Sequence, residues 1–341
     1  MSGLFFLEGA GVLALLFVLW KRGTFGGGGR KKSKLEEKAV PVGRGHMWYL
    51  QGGPKKGPTV VLLHGFATDK SQWEEVAAAL VAANYTVVVP DLPGFGANLR
   101  DIDGKYDATS LAKQLRSFAR AADLGAFNLV GHGIGAIVAA SYAYGMPSEL
   151  ASLVLVEPLG LTVPAESDFD KVMKNGRNPL LPSTPQAYDH LIGFVSTTPS
   201  KLPPAVKKKR AEALAASREF YQRVWSELRE GDRSHLMDLL LPEIKVRTLM
   251  MFGTASRVVH PSTAKVWEKR LEGHNARVML VPGAGHWVMV DRPKEVADAL
   301  VSFFKAPGEA RQAKRAAAAA ERNAERSGEP AAEPSGEIPT A

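Results

Sequence analysis

The sequence predicts an α/β fold, a mostly parallel sheet with helices on both faces and a helical insertion between two of its strands. Short apolar runs, typical of buried strands, alternate along the chain with segments of helical periodicity, as a parallel sheet with crossover helices requires. Between about residues 163 and 241 this alternation stops, and only helical patterns with repeated prolines remain. The composition, 45% hydrophobic and 23% charged, is that of a globular protein.

The predicted strands and helices follow one another from residue 59 to residue 304. The predicted strands are Thr59–Leu63, Thr86–Val89, Phe127–Val130, Leu153–Val156, Arg247–Phe252 and Arg277–Val281. The predicted helices are Ser71–Ala82, Ala108–Asp123, Ile134–Tyr144, one that begins at Pro261, and Pro293–Phe304. This order places the insertion between the fourth and fifth predicted strands.

An apolar run from Leu4 to Trp20 begins near the start of the chain and is followed by a basic segment. As a helix the run would be about 25 Å long, at the short end of what spans a bilayer. No cation precedes it and no small-residue cleavage site follows it, which counts against a cleaved signal peptide. We therefore expect a membrane anchor at residues 1–22, the alternative being a helix docked on another protein. By the positive-inside rule, the cations that follow predict a folded body on the cytoplasmic side.

Composition and charge divide the rest of the chain. The glycines and cations of residues 23–44 predict a flexible tether whose basic side chains lie against an anionic leaflet of the membrane. We expect a core in two parts, 45–162 and 242–305, a helical lid at 163–241, and a disordered or partly helical tail at 306–341.

The charge and the cysteine count exclude several classes of function. The net charge of +8 comes mostly from the segment between residues 21 and 44, which has eight cations and two glutamates, so the near-neutral body does not indicate nucleic-acid binding. With 0 Cys, the chain has no disulfide, no thiolate metal site and no cysteine nucleophile. We expect no cofactor and no metal.

Five short motifs lie at or beside the ends of predicted strands. They are His64-Gly65-Phe66, Asp91–Gly96, Gly131-His132-Gly133-Ile134-Gly135, Gly253–Val259 and Gly285-His286-Trp287. In this order they resemble the motifs of the α/β-hydrolases, and the resemblance covers about residues 45 to 304. It is closest to the membrane-anchored, monoacylglycerol-lipase-like branch. The resemblance implies the α/β-hydrolase fold, a lipase or esterase ancestry, and a lid that covers an acyl pocket and touches the membrane.

Two catalytic positions depart from the family pattern. The family motif Gly-x-Ser-x-Gly has its nucleophile where this sequence has Gly133, and the resemblance places the family's acid at Ser256. Glycine cannot form an acyl-enzyme, and serine lacks the charge that orients the catalytic histidine. His286 remains at the family's histidine position. The resemblance also implies that the backbone amides of Phe66 and Ile134 form the oxyanion hole, which any side-chain change leaves in place.

Glu157 follows the predicted strand Leu153–Val156, where some branches of this fold have their acid. It could replace the lost acid as the partner of His286, or it could be a solvated or lid-contacting carboxylate, which is the interpretation we favour. Three functions remain open: a non-catalytic protein that binds or scaffolds lipids, a hydrolase in which His286 and Glu157 activate a water, and a protein-interaction module. We favour the first because Gly133 offers no nucleophile. The expected partners are a membrane and a lipid or acyl ligand.

Overall fold

The computed structural model of the chain describes residues 35–182, 184–199, 202–229 and 235–305. Its strands are β1 (Glu36–Val42), β2 (Gly45–Gly52), β3 (Thr59–Leu63), β4 (Thr86–Pro90), β5 (Phe127–His132), β6 (Leu150–Val156), β7 (Thr248–Gly253) and β8 (Ala276–Val281). They form one sheet in the order β1-β2-β4-β3-β5-β6-β7-β8. Strands β3 to β8 run parallel to one another, whereas β2 pairs antiparallel with both β1 and β4. The predicted α/β class with a mostly parallel sheet is therefore confirmed.

Helices connect most of the parallel strands. They are α1 (Glu74–Ala82), α2 (Ala108–Ala121), α3 (Ile134–Gly145), α4 (Asp168–Lys174), α5 (Pro185–Val195), α6 (Pro204–Ala216), α7 (Arg218–Arg229), α8 (Leu236–Leu240), α9 (Ser262–Arg270), α10 (Val288–Asp291) and α11 (Pro293–Lys305). Every residue of β4, β5 and β7 is buried. Helices cover both faces of these strands, which explains why the strands appear in the sequence as continuous apolar runs.

Helices α4 to α8 form the insertion expected between β6 and β7. Aromatic side chains of α7 pack against the loop that follows β3. The ring centroid of Phe66 lies 4.9 Å from that of Trp225 and 6.0 Å from that of Tyr221. The insertion therefore lies over the carboxyl end of the central strands.

Strand β1 differs from the expected organisation, in which residues 23–44 form a tether. Instead, Glu36–Val42 pairs antiparallel with β2 along its whole length. The residues of this strand are exposed or half-buried, and the half-buried Val40 and Val42 pack against the core. Charged residues at an exposed sheet edge are a common feature of edge strands, and in the sequence they made this segment resemble a solvated linker. The predicted domain boundary at 44 is therefore wrong for these residues.

Other expectations fall on residues outside the described ranges. These are the membrane anchor at 1–22, the tether up to residue 34, and the tail at 306–341. Within the described ranges, no helix combines the length and the apolar character that crossing a membrane requires.

Candidate active site

The motif residues meet at the carboxyl ends of adjacent strands. Phe66 follows β3, Gly133 follows β5, Glu157 follows β6, Ser256 follows β7, and His286 lies in the loop after β8. Parallel neighbours bring these ends to one edge of the sheet, where open α/β sheets place their ligand sites.

Gly133 occupies the central position of a sharp turn between β5 and α3. Its backbone has φ +55° and ψ −113°, and its N–H donates to the carbonyl of Val156 at 3.0 Å. A Cβ built on Gly131 would lie 2.2 Å from the carbonyl oxygen of Gly135, so backbone packing requires glycine there. At Gly133 the nearest atom to such a Cβ is His286 Nε2 at 3.5 Å, an ordinary contact. The turn therefore has room for a side chain at this position, although the positive φ favours glycine.

His286 lies beside this turn and is only 4% exposed. Its Nδ1 is 3.0 Å from Glu157 Oε2, and its Nε2 faces Gly133. His132, which precedes Gly133 in the motif, contacts the carbonyl oxygen of His286 through Nε2 at 3.0 Å. The imidazole of His286 is therefore held on one side and directed towards the turn on the other.

Glu157 is fully buried, so its interpretation as a solvated carboxylate is wrong. Its Oε1 accepts the Gly253 N–H at 2.7 Å, and its Oε2 accepts the Ser256 hydroxyl at 2.6 Å in addition to facing His286. Its φ is +48°, a left-handed value that costs a residue other than glycine about 1–3 kcal/mol. The carboxylate that contacts His286 therefore follows β6, whereas the resemblance places the family's acid after β7 at Ser256, whose hydroxyl here helps to hold Glu157.

Burial shifts the pKa of both members of this pair. It raises the pKa of Glu157 to about 8, against the opposing effect of the hydrogen bonds from Ser256 and Gly253. It lowers the pKa of His286 to about 3. Burial therefore favours the neutral form of each group, and the two groups titrate as a pair through the contact between Glu157 Oε2 and His286 Nδ1. Above about pH 8, loss of one proton leaves ionised Glu157 bonded to Nδ1–H, and Nε2 becomes a base.

The amides expected to form an oxyanion hole also border the site. Ile134 is the first residue of α3 and is buried. Phe66 is also buried and lies in the loop that follows β3. Neither amide donates a hydrogen bond within the described part of the chain. Both remain available as donors, and the amino terminus of α3 adds its positive dipole end. Among the described residues, no cluster of three His, Asp or Glu side chains is arranged to hold a metal ion.

Comparison with known proteins agrees with this geometry. Residues 60–299 match the family model described as the alpha/beta hydrolase family. Monoacylglycerol lipase abhd6-B of Xenopus laevis is 29% identical over 262 residues, which cover 74% of this chain and 77% of the relative. Human monoacylglycerol lipase ABHD6 is 27% identical over 263 residues, again 74% of this chain and 77% of the relative.

A solved structure is similar along most of the chain. A membrane phospholipase A, described as a bacterial virulence factor, has a TM-score of 0.77 and 30% identity and covers 87% of this chain and 92% of its own. The family model and this structure each account for well over half of the chain. The protein therefore belongs to the α/β-hydrolase family, in a branch close to the monoacylglycerol lipases.

Proposed function

We propose that this protein binds an acyl lipid at the family's catalytic site without forming an acyl-enzyme. One observation carries the proposal: the turn that presents the nucleophile in hydrolases is formed, but Gly133 has no hydroxyl to present. Ser256 does not replace it, because its hydroxyl donates to Glu157 on the Nδ1 side of His286, away from Gly133. Donors for a carbonyl or an oxyanion remain, whereas the group that would attack it is absent.

The surroundings of the site suit an apolar ligand. Phe66 lies between the site and the insertion. Its ring centroid is 4.9 Å from that of Trp225, which in turn is 5.6 Å from that of Phe169. Similar proteins are named as monoacylglycerol lipases and as a membrane phospholipase A. These names support a lipid with an acyl chain as the ligand. In this proposal helices α4 to α8 are the lid, and residues 1–22 anchor the protein to the membrane with the folded body on the cytoplasmic side.

The test combines a labelling assay with a binding assay. We expect no labelling of the purified full chain by a fluorophosphonate probe, and saturable binding of monoacylglycerol in calorimetry. Gly133→Ala and Gly133→Leu form a matched pair, because both have the same positive φ but only leucine extends into the site. We expect the alanine variant to bind and the leucine variant to lose at least tenfold in affinity. Stoichiometric labelling of any serine, or binding unaffected by leucine, would contradict the proposal.

A second candidate function is slow hydrolysis by water, and the contact between Glu157 and His286 favours it. Above about pH 8 this pair presents a base at Nε2, next to Gly133. Removing a general base costs about 10²–10⁴-fold in rate. If the wild-type chain hydrolyses p-nitrophenyl esters, His286→Ala should abolish the turnover and Glu157→Gln should lower it. Turnover that both variants retain would exclude this candidate.

A further inference from the structure

We infer that Asp291 is a positioning residue that couples the helical insertion to His286. Asp291 is the last residue of α10 and is buried. Its carboxylate lies between two parts of the chain that are distant in sequence, the loop that contains His286 and residues 196–198, which follow α5. The inference goes beyond the proposed function, because it concerns what sets the position of His286 whether the site binds a lipid or hydrolyses one.

On the histidine side, Asp291 holds the residue that precedes His286. Its Oδ2 accepts the N–H of Gly285 at 2.7 Å. The carbonyl oxygen of His286 is held separately, by Nε2 of His132 at 3.0 Å. Backbone groups on both sides of the histidine Cα are therefore bonded, and the direction of the imidazole depends on these bonds.

On the insertion side, the same carboxylate accepts hydrogen bonds from three consecutive residues. Its Oδ1 accepts the hydroxyl of Ser196 and, at 3.0 Å, the N–H of Thr198, and its Oδ2 accepts the N–H of Thr197 at 3.0 Å. Burial alone would raise the pKa of Asp291, but its hydrogen bonds outweigh burial and hold this pKa below its ordinary value. The carboxylate is therefore ionised at neutral pH, and its hydrogen bonds are of the strong, charge-assisted kind.

The backbone of the histidine loop also packs directly on the end of α5. The N–H of Trp287 donates to the carbonyl of Val195, the last residue of α5, at 2.7 Å. A Cβ built on Gly285 would lie 2.9 Å from the same carbonyl oxygen and 3.3 Å from the Cα of Ser196. This close approach requires a glycine in the loop, so the loop and the end of α5 form one packed unit.

These contacts connect the position of α5 to that of His286. If α5 moved away from the loop, the carboxylate of Asp291 would lose the donors of residues 196–198 and would stay buried with fewer partners, which is unfavourable. The end of α5 therefore moves together with the histidine loop, and a displacement of either changes the distance between His286 and Gly133. Because coupling is reciprocal, a group that fixes His286 also fixes the end of α5.

The experiment compares two hydroxyl deletions at opposite ends of α5. Ser196→Ala removes the hydroxyl that Asp291 accepts. The matched control Thr184→Ala removes the hydroxyl that caps the amino end of the same helix, where it accepts the Ala187 N–H at 3.1 Å. A third variant, Asp291→Asn, keeps the size of the side chain and removes its charge. Amide hydrogen exchange is measured on the full chain in detergent, together with the imidazole nitrogen resonances of protein labelled at histidine with nitrogen-15, which are assigned to His286 by their loss in His286→Ala.

We expect Ser196→Ala and Asp291→Asn each to speed the exchange of the Gly285 N–H by about tenfold and to shift the imidazole nitrogen resonances of His286. Thr184→Ala should leave both measurements unchanged, since it acts at the other end of α5. When Ser196→Ala is added to Asp291→Asn, exchange should be no faster than in Asp291→Asn alone, because both changes act through one carboxylate.

Three results would overturn the inference. The first is a folded Ser196→Ala protein whose Gly285 exchange and His286 resonances match those of the wild type. The second is the same change in Thr184→Ala, because a general loosening of the insertion would then explain it. The third is an additive effect in the double variant, which would exclude Asp291 as the link. If Asp291→Asn does not fold, the comparison of Ser196→Ala with Thr184→Ala still decides. No ligand or substrate enters these measurements, so their outcome is separate from that of the proposed function.

Discussion

Replacing Gly133 with serine should convert this site into a serine hydrolase in one step. A Cβ at this position lies 3.5 Å from His286 Nε2, so the hydroxyl oxygen, one bond further, can reach hydrogen-bond distance. Glu157 already contacts the opposite ring nitrogen at 3.0 Å. The substitution therefore adds a nucleophile to a histidine that already has its acid, beside amides that can bind an oxyanion.

The expected gain follows from what the serine does in a complete triad. Losing that serine costs about 2 × 10⁶-fold in kcat, so we expect the variant to exceed the wild type by roughly 10⁴-fold or more in ester hydrolysis. Because burial raises the pKa of Glu157 to about 8, the rate should rise about tenfold per pH unit from pH 6 towards 8 and then level off. Serine at φ +55° should also cost about 1–3 kcal/mol of stability.

Hydrolysis of p-nitrophenyl esters and fluorophosphonate labelling at position 133 measure the outcome. Gly133→Ala is the matched control, since it has the same backbone strain without the hydroxyl. Adding Glu157→Gln to the serine variant should lower its rate by about 10²–10⁴-fold, because the histidine loses its charged partner. Adding Ser256→Asp should also lower it at pH 7, because a second carboxylate would replace a hydroxyl 2.6 Å from Glu157 Oε2. A folded serine variant with no labelling and no more turnover than the alanine control would refute the reasoning.

Three other predictions concern stability and location. Gly131→Ala should cost more than about 3 kcal/mol in chemical denaturation, since its Cβ would lie 2.2 Å from a backbone oxygen, whereas Gly133→Ala should cost less. In the folded state the pKa of Glu157 is about 8 and that of His286 about 3, against ordinary values of 4.5 and 6.5. Between pH 4.5 and 6.5 the folded and unfolded states therefore bind equal numbers of protons at this pair, and its contribution to stability should be constant. Its contribution should fall as the pH rises from 6.5 to 8, where only the folded state keeps the extra proton, and Glu157→Gln should remove this fall in thermal denaturation. Below pH 4.5 it should fall again as the unfolded state binds the additional proton. Deleting residues 1–22 should move the protein into the soluble fraction, and persistent membrane binding would assign that role to the insertion.

The sequence alone was sufficient to locate most of the sheet. Thr59–Leu63 was predicted with the bounds that the structure gives it, because a strand buried on both faces is a continuous apolar run. The turn at Gly131–Gly135 was equally clear from its glycine pattern, although only Gly131 is required by a contact within the turn, whereas Gly135 is required by the backbone of Leu63 and His64 at the end of β3. Strand β1 was missed, because its charges match an exposed edge strand and a solvated tether equally well.

The partner of His286 was decided only by the tertiary structure. Glu157 and His286 are 129 residues apart, and no local pattern states which side chains face each other after β6 and β8. The sequence showed that the usual acid position holds Ser256 and that a glutamate follows the neighbouring strand, which left the role of Glu157 open. Strand register and a left-handed φ at Glu157 direct its carboxylate towards β7, where Ser256 and Gly253 hold it against the histidine. Backbone conformation and burial set this contact and the pKa of the glutamate, and both depend on the packed sheet.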